Sequence, residues 1–234
     1  MAGNLKGKLW QTYCVWFREP LERKLRDDFA ATLPPWDVFH AEVADFLAST
    51  GQSNVPMREL YILIRGLKPE IVVETGVARG GSTATILEAM DKNQKGELHS
   101  VDATKFRDPR ENDGYTPEMI GTIMRIRQHP RWHFHEGFSQ DILPGLTREF
   151  TSKGRSIGLF IHDSDHGPDC VKFELFAVSS AIAPGGFVAS HDAFCFGNKP
   201  AFRAFEREQK DFSIYFEGKG SEYRMYRKRG KNGG

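Results

Sequence analysis

Long apolar runs are missing from this chain of 234 residues. Its strictly apolar stretches are only a few residues, as at Ile71 to Val73, whereas a bilayer-spanning helix needs about 20, so no membrane span is expected. An excess of one charge is missing too. The 32 Lys and Arg against 31 Asp and Glu leave a formal net charge of +1, which excludes a globally basic nucleic-acid binder. Cysteine is scarce: Cys14, Cys170 and Cys195 are odd in number, widely spaced and without a C-x-x-C pattern, which fits reduced thiols better than a disulfide or zinc framework. The N-terminus is basic but is followed by no apolar h-region or small-residue cleavage site, so a cytoplasmic location is expected. No internal repeat is visible. The basic stretch Arg227 to Gly234 reads as a solvated, mobile end and not as a nucleic-acid contact.

What is present is core material, 39% hydrophobic and 12% aromatic, enough for one large domain. Residues 8–48 read as amphipathic helices, with Leu21, Leu25 and Phe29 at four-residue spacing and a break at Pro34-Pro35. This N-terminal helical cap, residues 1–51, is expected to pack on its own core or on a second subunit, which leaves a homo-oligomer open. Asn54 caps a further helix that ends near Gly66. From Ile71 onward, short β-patterned runs alternate with helical stretches at 81–90, 117–128, 139–153 and 168–182. The runs are Ile71–Glu74, Glu97–Asp102, Trp132–His135, Ile157–Ile161 and Gly186–Ser190. Helix 199–209 and a hairpin of Phe212–Phe216 with Tyr223–Tyr226 complete the pattern. The expected architecture is α/β: a doubly wound, mostly parallel, seven-stranded Rossmann-like sheet over residues 52–227, with an antiparallel C-terminal hairpin and a short flexible tail at 228–234.

Chemistry-bearing residues fall at the expected strand ends, where open α/β sheets bind their ligands. Glu74-Thr-Gly-Val-Ala-Arg-Gly-Gly-Ser82 is a glycine-rich turn into a helix, but its E-x-G-x-x-x-G-G spacing matches neither a P-loop nor the G-x-G-x-x-G dinucleotide fingerprint. An acid beside such a turn suits a cationic ligand better than a pyrophosphate. Asp102 closes the second strand, where a carboxylate can accept from ribose hydroxyls. Ser139 and Gln140 follow the third strand and suit the hydrogen-bonding edge of an adenine, although Ser-x-Asp alone is more often a helix N-cap. His162-Asp163-Ser164-Asp165-His166 and His191-Asp192 end the next two strands and together make a divalent-metal site plausible, with oxygen ligands suited to Mg²⁺. The polar stretch Thr104–Thr116 reads as a long loop over this end of the sheet.

Taken in order, Glu74–Ser82, Asp102, Gly137–Pro144, Asp163–His166 and Pro184–Asp192 resemble a class I S-adenosylmethionine-dependent methyltransferase. Within that class the chain resembles the metal-dependent O-methyltransferases of the catechol type and of macrolide-sugar and cephalosporin biosynthesis, over residues 52–226. The resemblance implies that Glu74, Gly76 and Ser82 hold the methionine part of the cofactor, Asp102 the ribose, and Ser139 and Gln140 the adenine. It further implies a metal held by Asp163, His191 and Asp192, with Asp163 and His166 matching the D-x-x-H pattern that supplies a metal ligand and a catalytic base. His191 stands where those relatives carry an oxygen ligand, so either its imidazole ligates or Asp165 completes the shell. The implied reaction is attack by a hydroxyl of a small-molecule acceptor, a vicinal diol or catechol, on the sulfonium methyl group. Trp36, Phe106 and Tyr115 would then contact the acceptor. Three rivals remain: a metal-dependent hydrolase suggested by the paired His-Asp sequences, a non-catalytic binding module of the same fold, and a different acceptor atom or an oxygenation.

Overall fold

A computed structural model describes residues 21–35, 38, 39, 41, 42, 44, 45, 55–103, 125–191, 193, 197–217 and 223–230. The expected acceptor contacts Trp36, Phe106 and Tyr115, the 104–116 loop, most of the 117–128 helix, Cys14 and Cys195 lie outside the described residues. The elements are α1 (residues 21–28), α2 (Val55–Leu67), β1 (Ile71–Thr75), α3 (Gly81–Asn93), β2 (Glu97–Asp102), β3 (Trp132–Glu136) and α4 (Ser139–Ser152). They continue with β4 (Ile157–His162), α5 (Pro168–Ser179), β5 (Ile182–His191), α6 (Lys199–Glu208), β6 (Phe212–Glu217) and β7 (Tyr223–Lys228).

The seven strands form one sheet in the order β3-β2-β1-β4-β5-β7-β6. The first five run parallel, and β7 enters antiparallel between β5 and β6. Parallel central strands are covered on both faces, which is why Ile71-Val-Val, Leu159-Phe-Ile and Phe187-Val-Ala are continuous apolar runs and not alternating ones. Alternate side chains of each strand feed two cores. One core joins Val72, Leu98, Leu159 and Phe187 to Leu21, Leu25, Leu60, Leu63 and Ile86 of α1, α2 and α3. The other joins Val73, Phe160, Val188 and Tyr226 to Leu146, Leu175, Phe202 and Phe205 of α4, α5 and α6. Each fully buried Leu or Phe contributes about 1.5–3 kcal/mol of transfer free energy.

Leu21, Leu25 and Phe29 are buried in the chain's own first core, and the Phe29 ring sits 6.3 Å from Phe187. The apolar face of α1 is thus satisfied within the chain. Several boundaries differ from the sequence pattern, three of them with a visible cause or consequence. Helix α5 stops at Ser179, because Ile182 pairs with Ile157 and pulls the chain into a β5 of ten residues with a register shift near its start. Strand β4 runs one residue further, to His162. Strand β7 takes in Arg227 and Lys228, read above as the start of the tail; Lys228 Nζ donates to Ser179 O at 3.0 Å and lies 3.5 Å from Asp211. Among the described residues no helix is long and apolar enough to cross a membrane.

The order reverses at β1, which has β2 on one side and β4 on the other. Successive crossovers leave β1 in opposite directions there, and their turns part to open a crevice at the carboxyl ends of the strands.

Candidate active site

The crevice is built on one close backbone approach. Gly76, just past β1, adopts φ 85°, and a Cβ on it would lie 2.0 Å from the backbone oxygen of Asp163. Only glycine lets the exit turns of β1 and β4 touch in this way. Around it Gly76 N donates to Val101 O at 2.9 Å and Asp163 N donates to Thr75 O at 3.0 Å, which laces the ends of β1, β2 and β4 together. The turn then passes through Ala78 and Gly80, both at positive φ, into α3.

Asp102 closes the second wall. Its Oδ2 accepts from Val77 N at 2.8 Å and Ala78 N at 3.4 Å, so the carboxylate also holds the glycine-rich turn in place. Opposite stand Gly137, Phe138, Ser139 and Gln140, and Asp163, Ser164 and Asp165 form the floor of a cavity of about 500 Å³. Ser139 does not cap α4; Phe138 holds the cap position without a side-chain bond, and Ser139 Oγ donates to Gln140 Oε1 at 3.3 Å. The Phe138 side chain is 65% exposed at the rim, an apolar plate that a flat ring can cover. The described lining carries three carboxylates, of Asp102, Asp163 and Asp165, and no Lys, Arg or His. Such a cavity repels phosphates and attracts cations.

Glu74 and Ser82 are not part of this lining. Glu74 is 1% exposed and lies behind the turn, where Ser82 donates to its Oε2 at 3.0 Å, and Thr83 and Ser100 donate to Oε1 at 2.5 and 2.6 Å. Trp132 Nε1 donates in turn to Ser100 Oγ at 2.8 Å. Burial pushes the Glu74 carboxyl up to about 7, against the three hydroxyls and with a further push from Asp163. Its reach to a cationic ligand is therefore through the turn it anchors.

At the end of β4 and β5, Asp163 Oδ1 lies 2.8 Å from His191 Nδ1 and 4.0 Å from His166 Nε2. The His191 ring also packs edge-on against Tyr223 at 5.3 Å. Asp192, expected beside them, lies outside the described residues. Asp165 Oδ1 accepts from Gly167 N at 2.9 Å and shapes the turn before α5.

His162, which the sequence grouped with these side chains, touches them only through its ring, edge-on to His166 at 5.7 Å, and its Nδ1 is engaged elsewhere. As the last residue of β4 it is fully buried, its Nδ1 2.6 Å from Glu174 Oε2 of α5. Glu174 also accepts from Thr75 Oγ1 at 2.6 Å and from Ser164 Oγ at 2.7 Å. Burial alone would raise this carboxyl; the His162 bond and charge, with the hydroxyls, hold it below the usual carboxylate range. Glu174 escaped the sequence reading, although an acid in the otherwise apolar run Phe173 to Val178, four residues after buried Cys170, is the signal that could have found it. This buried pair braces Thr75 and Ser164, which flank the turns carrying Gly76 and Asp163.

Solved structures of the same fold include the O-methyltransferase TomG of Streptomyces achromogenes, involved in tomaymycin synthesis and seen in complex with SAM. It superposes with a TM-score of 0.55 at 15% identity over 81% of this chain and 89% of its own. Cofactor-bound Rv0187 from MTB gives 0.54 at 14% identity over 81% and 90%, and the Bacillus cereus O-methyltransferase in complex with SAH gives 0.50 at 14% over 90% and 97%. At such identities the likeness speaks for the fold. No curated protein matches the chain at a significant level. Residues 73–193 match the family profile described as a methyltransferase domain, a segment that runs from β1 to just past β5 and holds every crevice residue described above. That match spans more than half of the sequence: the chain belongs to this methyltransferase-domain family.

Proposed function

We propose that the protein transfers a methyl group from S-adenosylmethionine to a hydroxyl of a small molecule. The observation that carries this reading is the cavity lined by three carboxylates and, among the described residues, no basic side chain, opening beside the Asp163, His166 and His191 cluster. A sulfonium with an α-ammonium group is net cationic and fits that lining, whereas a nucleotide phosphate does not. In this reading Asp102 accepts from the ribose hydroxyls, Ser139 and Gln140 meet the adenine edge, and Gly76 leaves room for close approach. Glu74 and Ser82 act on the methionine part by holding the turn. When bound, the cofactor supplies an electrophilic methyl group.

His166 then takes the acceptor's proton at Nε2, and Asp163, 4.0 Å away, stabilises the imidazolium that forms. His191 fixes the orientation of Asp163 through their 2.8 Å contact. The oxygen and imidazole donors gathered there also suit a divalent ion such as Mg²⁺, held by Asp163 and His191 with Asp192; it would lower the pKa of an acceptor hydroxyl and favour a vicinal diol or catechol.

The reading is tested by calorimetric titration with S-adenosylmethionine and S-adenosylhomocysteine, with and without Mg²⁺, followed by a methyl-transfer assay on catechols and diols. Binding in the micromolar range, about −8 kcal/mol, supports it. No binding of either to a folded protein overturns it. His166→Ala is expected to lower turnover by about 10²–10⁴-fold and to be partly relieved at high pH; an unchanged rate and pH profile removes the base role.

A further inference from the structure

A second cluster of histidines lies away from the crevice, on the flank of the sheet that packs against α4. His133 and His135 are two apart on edge strand β3 and so share a face, and His99 of β2 is in register with His133. The three rings stack, His99 to His133 at 4.7 Å and His99 to His135 at 5.3 Å, over the edge of Phe150. Glu97, at the start of β2, reaches the same point: its Oε1 is 3.0 Å from His99 Nε2 and its Oε2 3.8 Å from His133 Nε2.

We propose that Glu97, His99 and His133 form a site for a divalent transition-metal ion of the Zn²⁺ type, separate from the methyl-transfer site. The ligand atoms of these three side chains all lie within 4.8 Å of one another, the only such set among the described residues. Tetrahedral bonds of about 2.0–2.2 Å put neighbouring ligand atoms roughly 3.3–3.6 Å apart, and the 3.8 Å from Glu97 Oε2 to His133 Nε2 is close to that span. The donor set, two imidazoles and one carboxylate with a solvent-facing fourth position, is one that borderline ions choose over Mg²⁺ or Ca²⁺.

The surroundings complete the second shell that a metal-bound histidine uses. His99 Nδ1 lies 3.0 Å from His135 Nε2, so His99 can donate from Nδ1 while its Nε2 lone pair faces the ion. Arg155 also lies on Glu97, Nη2 to Oε1 at 2.7 Å, which leaves Oε2 directed toward His133. The ion would add a clip between edge strand β3 and β2, beside the ladder bonds, the Leu98 N to Arg131 O bond of 2.8 Å and the Trp132 Nε1 to Ser100 Oγ bond of 2.8 Å.

The test is calorimetric titration of the untagged full chain with Zn²⁺, in an Asp163→Asn background that disables the crevice cluster. One equivalent is expected to bind at micromolar or better Kd and to weaken at least tenfold in His133→Asn and in Glu97→Gln. His133 has a half-exposed side chain, so its replacement leaves the core intact. Co²⁺ serves as a second probe, expected to give the visible absorption of a tetrahedral site that His133→Asn abolishes. Zn²⁺ at about a hundredfold excess over Kd is expected to raise the thermal midpoint by roughly 5 °C, and not in His133→Asn. Absence of binding to the folded background protein, or an affinity in both substituted chains unchanged from that of the background protein, overturns the proposal. Methyl-transfer activity is not read, so the result is independent of the function proposed above.

Discussion

Replacing Glu74 by Gln isolates one buried charge. In the unfolded chain this carboxyl ionises near its ordinary 4.5, and in the folded protein burial delays ionisation to about 7. Below about pH 4.5 both states hold the proton and the group contributes nothing. Between about 4.5 and 7 the folded state keeps a proton that the unfolded chain has released, so stability falls as pH rises. Above 7 the whole penalty is present. At about 1.4 kcal/mol per pH unit it amounts to ~3 kcal/mol, a large share of a typical 5–15 kcal/mol of net stability. Glutamine cannot ionise. Its carbonyl can keep the Thr83 and Ser100 donors, and its amide can donate to Ser82 once that hydroxyl turns. The substituted protein is therefore expected to lose this part of the pH slope and to be more stable than the parent at about pH 8, by up to ~3 kcal/mol or roughly 6–12 °C in thermal midpoint. Urea unfolding of both proteins from about pH 5 to about pH 8 measures it, because other titrating groups cancel in the difference. Parallel stability profiles for the two proteins would refute the reasoning and mean that the three hydroxyls keep Glu74 ionised throughout.

Asp102→Ala removes the acceptor for Val77 N and Ala78 N as well as the ribose contact, and should weaken S-adenosylmethionine binding about 10–100-fold; an unchanged calorimetric Kd would contradict both roles. Gly76→Ala forces a Cβ to 2.0 Å from Asp163 O at φ 85° and should cost more than about 3 kcal/mol in denaturant unfolding, whereas Gly145→Ala, with nothing within 4 Å and a helical position, should stabilise by roughly 0.5–1 kcal/mol. Glu174→Leu strands His162 Nδ1, Thr75 Oγ1 and Ser164 Oγ without their acceptor and should destabilise the fold by about 3–5 kcal/mol; a loss below about 1 kcal/mol would show that the pair is dispensable.

The fold was legible because its causes are local. Doubly covered parallel strands need unbroken apolar runs, and Ile71–Val73, Leu159–Ile161 and Phe187–Ala189 are such runs with helical patterns between them. The crevice was largely legible for the same reason. Parallel strands all end on one side of the sheet, so Gly76, Asp102, Ser139, Gln140 and Asp163, each just past or at a strand end, had to meet once the order of strands was known.

Which side chains face the crevice was another matter, since one residue along a strand reverses the direction of a side chain. His162 and Asp163 are neighbours in sequence, yet β4 ends at His162 and commits its Nδ1 to buried Glu174, leaving it only an edge-on ring contact with His166, while the Asp163 carboxylate turns to His166 and His191. Glu74 likewise stands next to the glycine-rich turn in sequence and behind it in space, because Ser82, Thr83 and Ser100 supply its donors from α3 and β2. The histidines at 99, 133 and 135 are unremarkable strand residues until β2 and β3 are set in register. The sequence by itself thus determined the layers, the strand ends and the residue types available at them, all consequences of periodicity and backbone chemistry. Only the tertiary structure decided which of those residues pair, which are buried and which meet the cavity, because partners come from different elements and sheet register and helix packing choose among them.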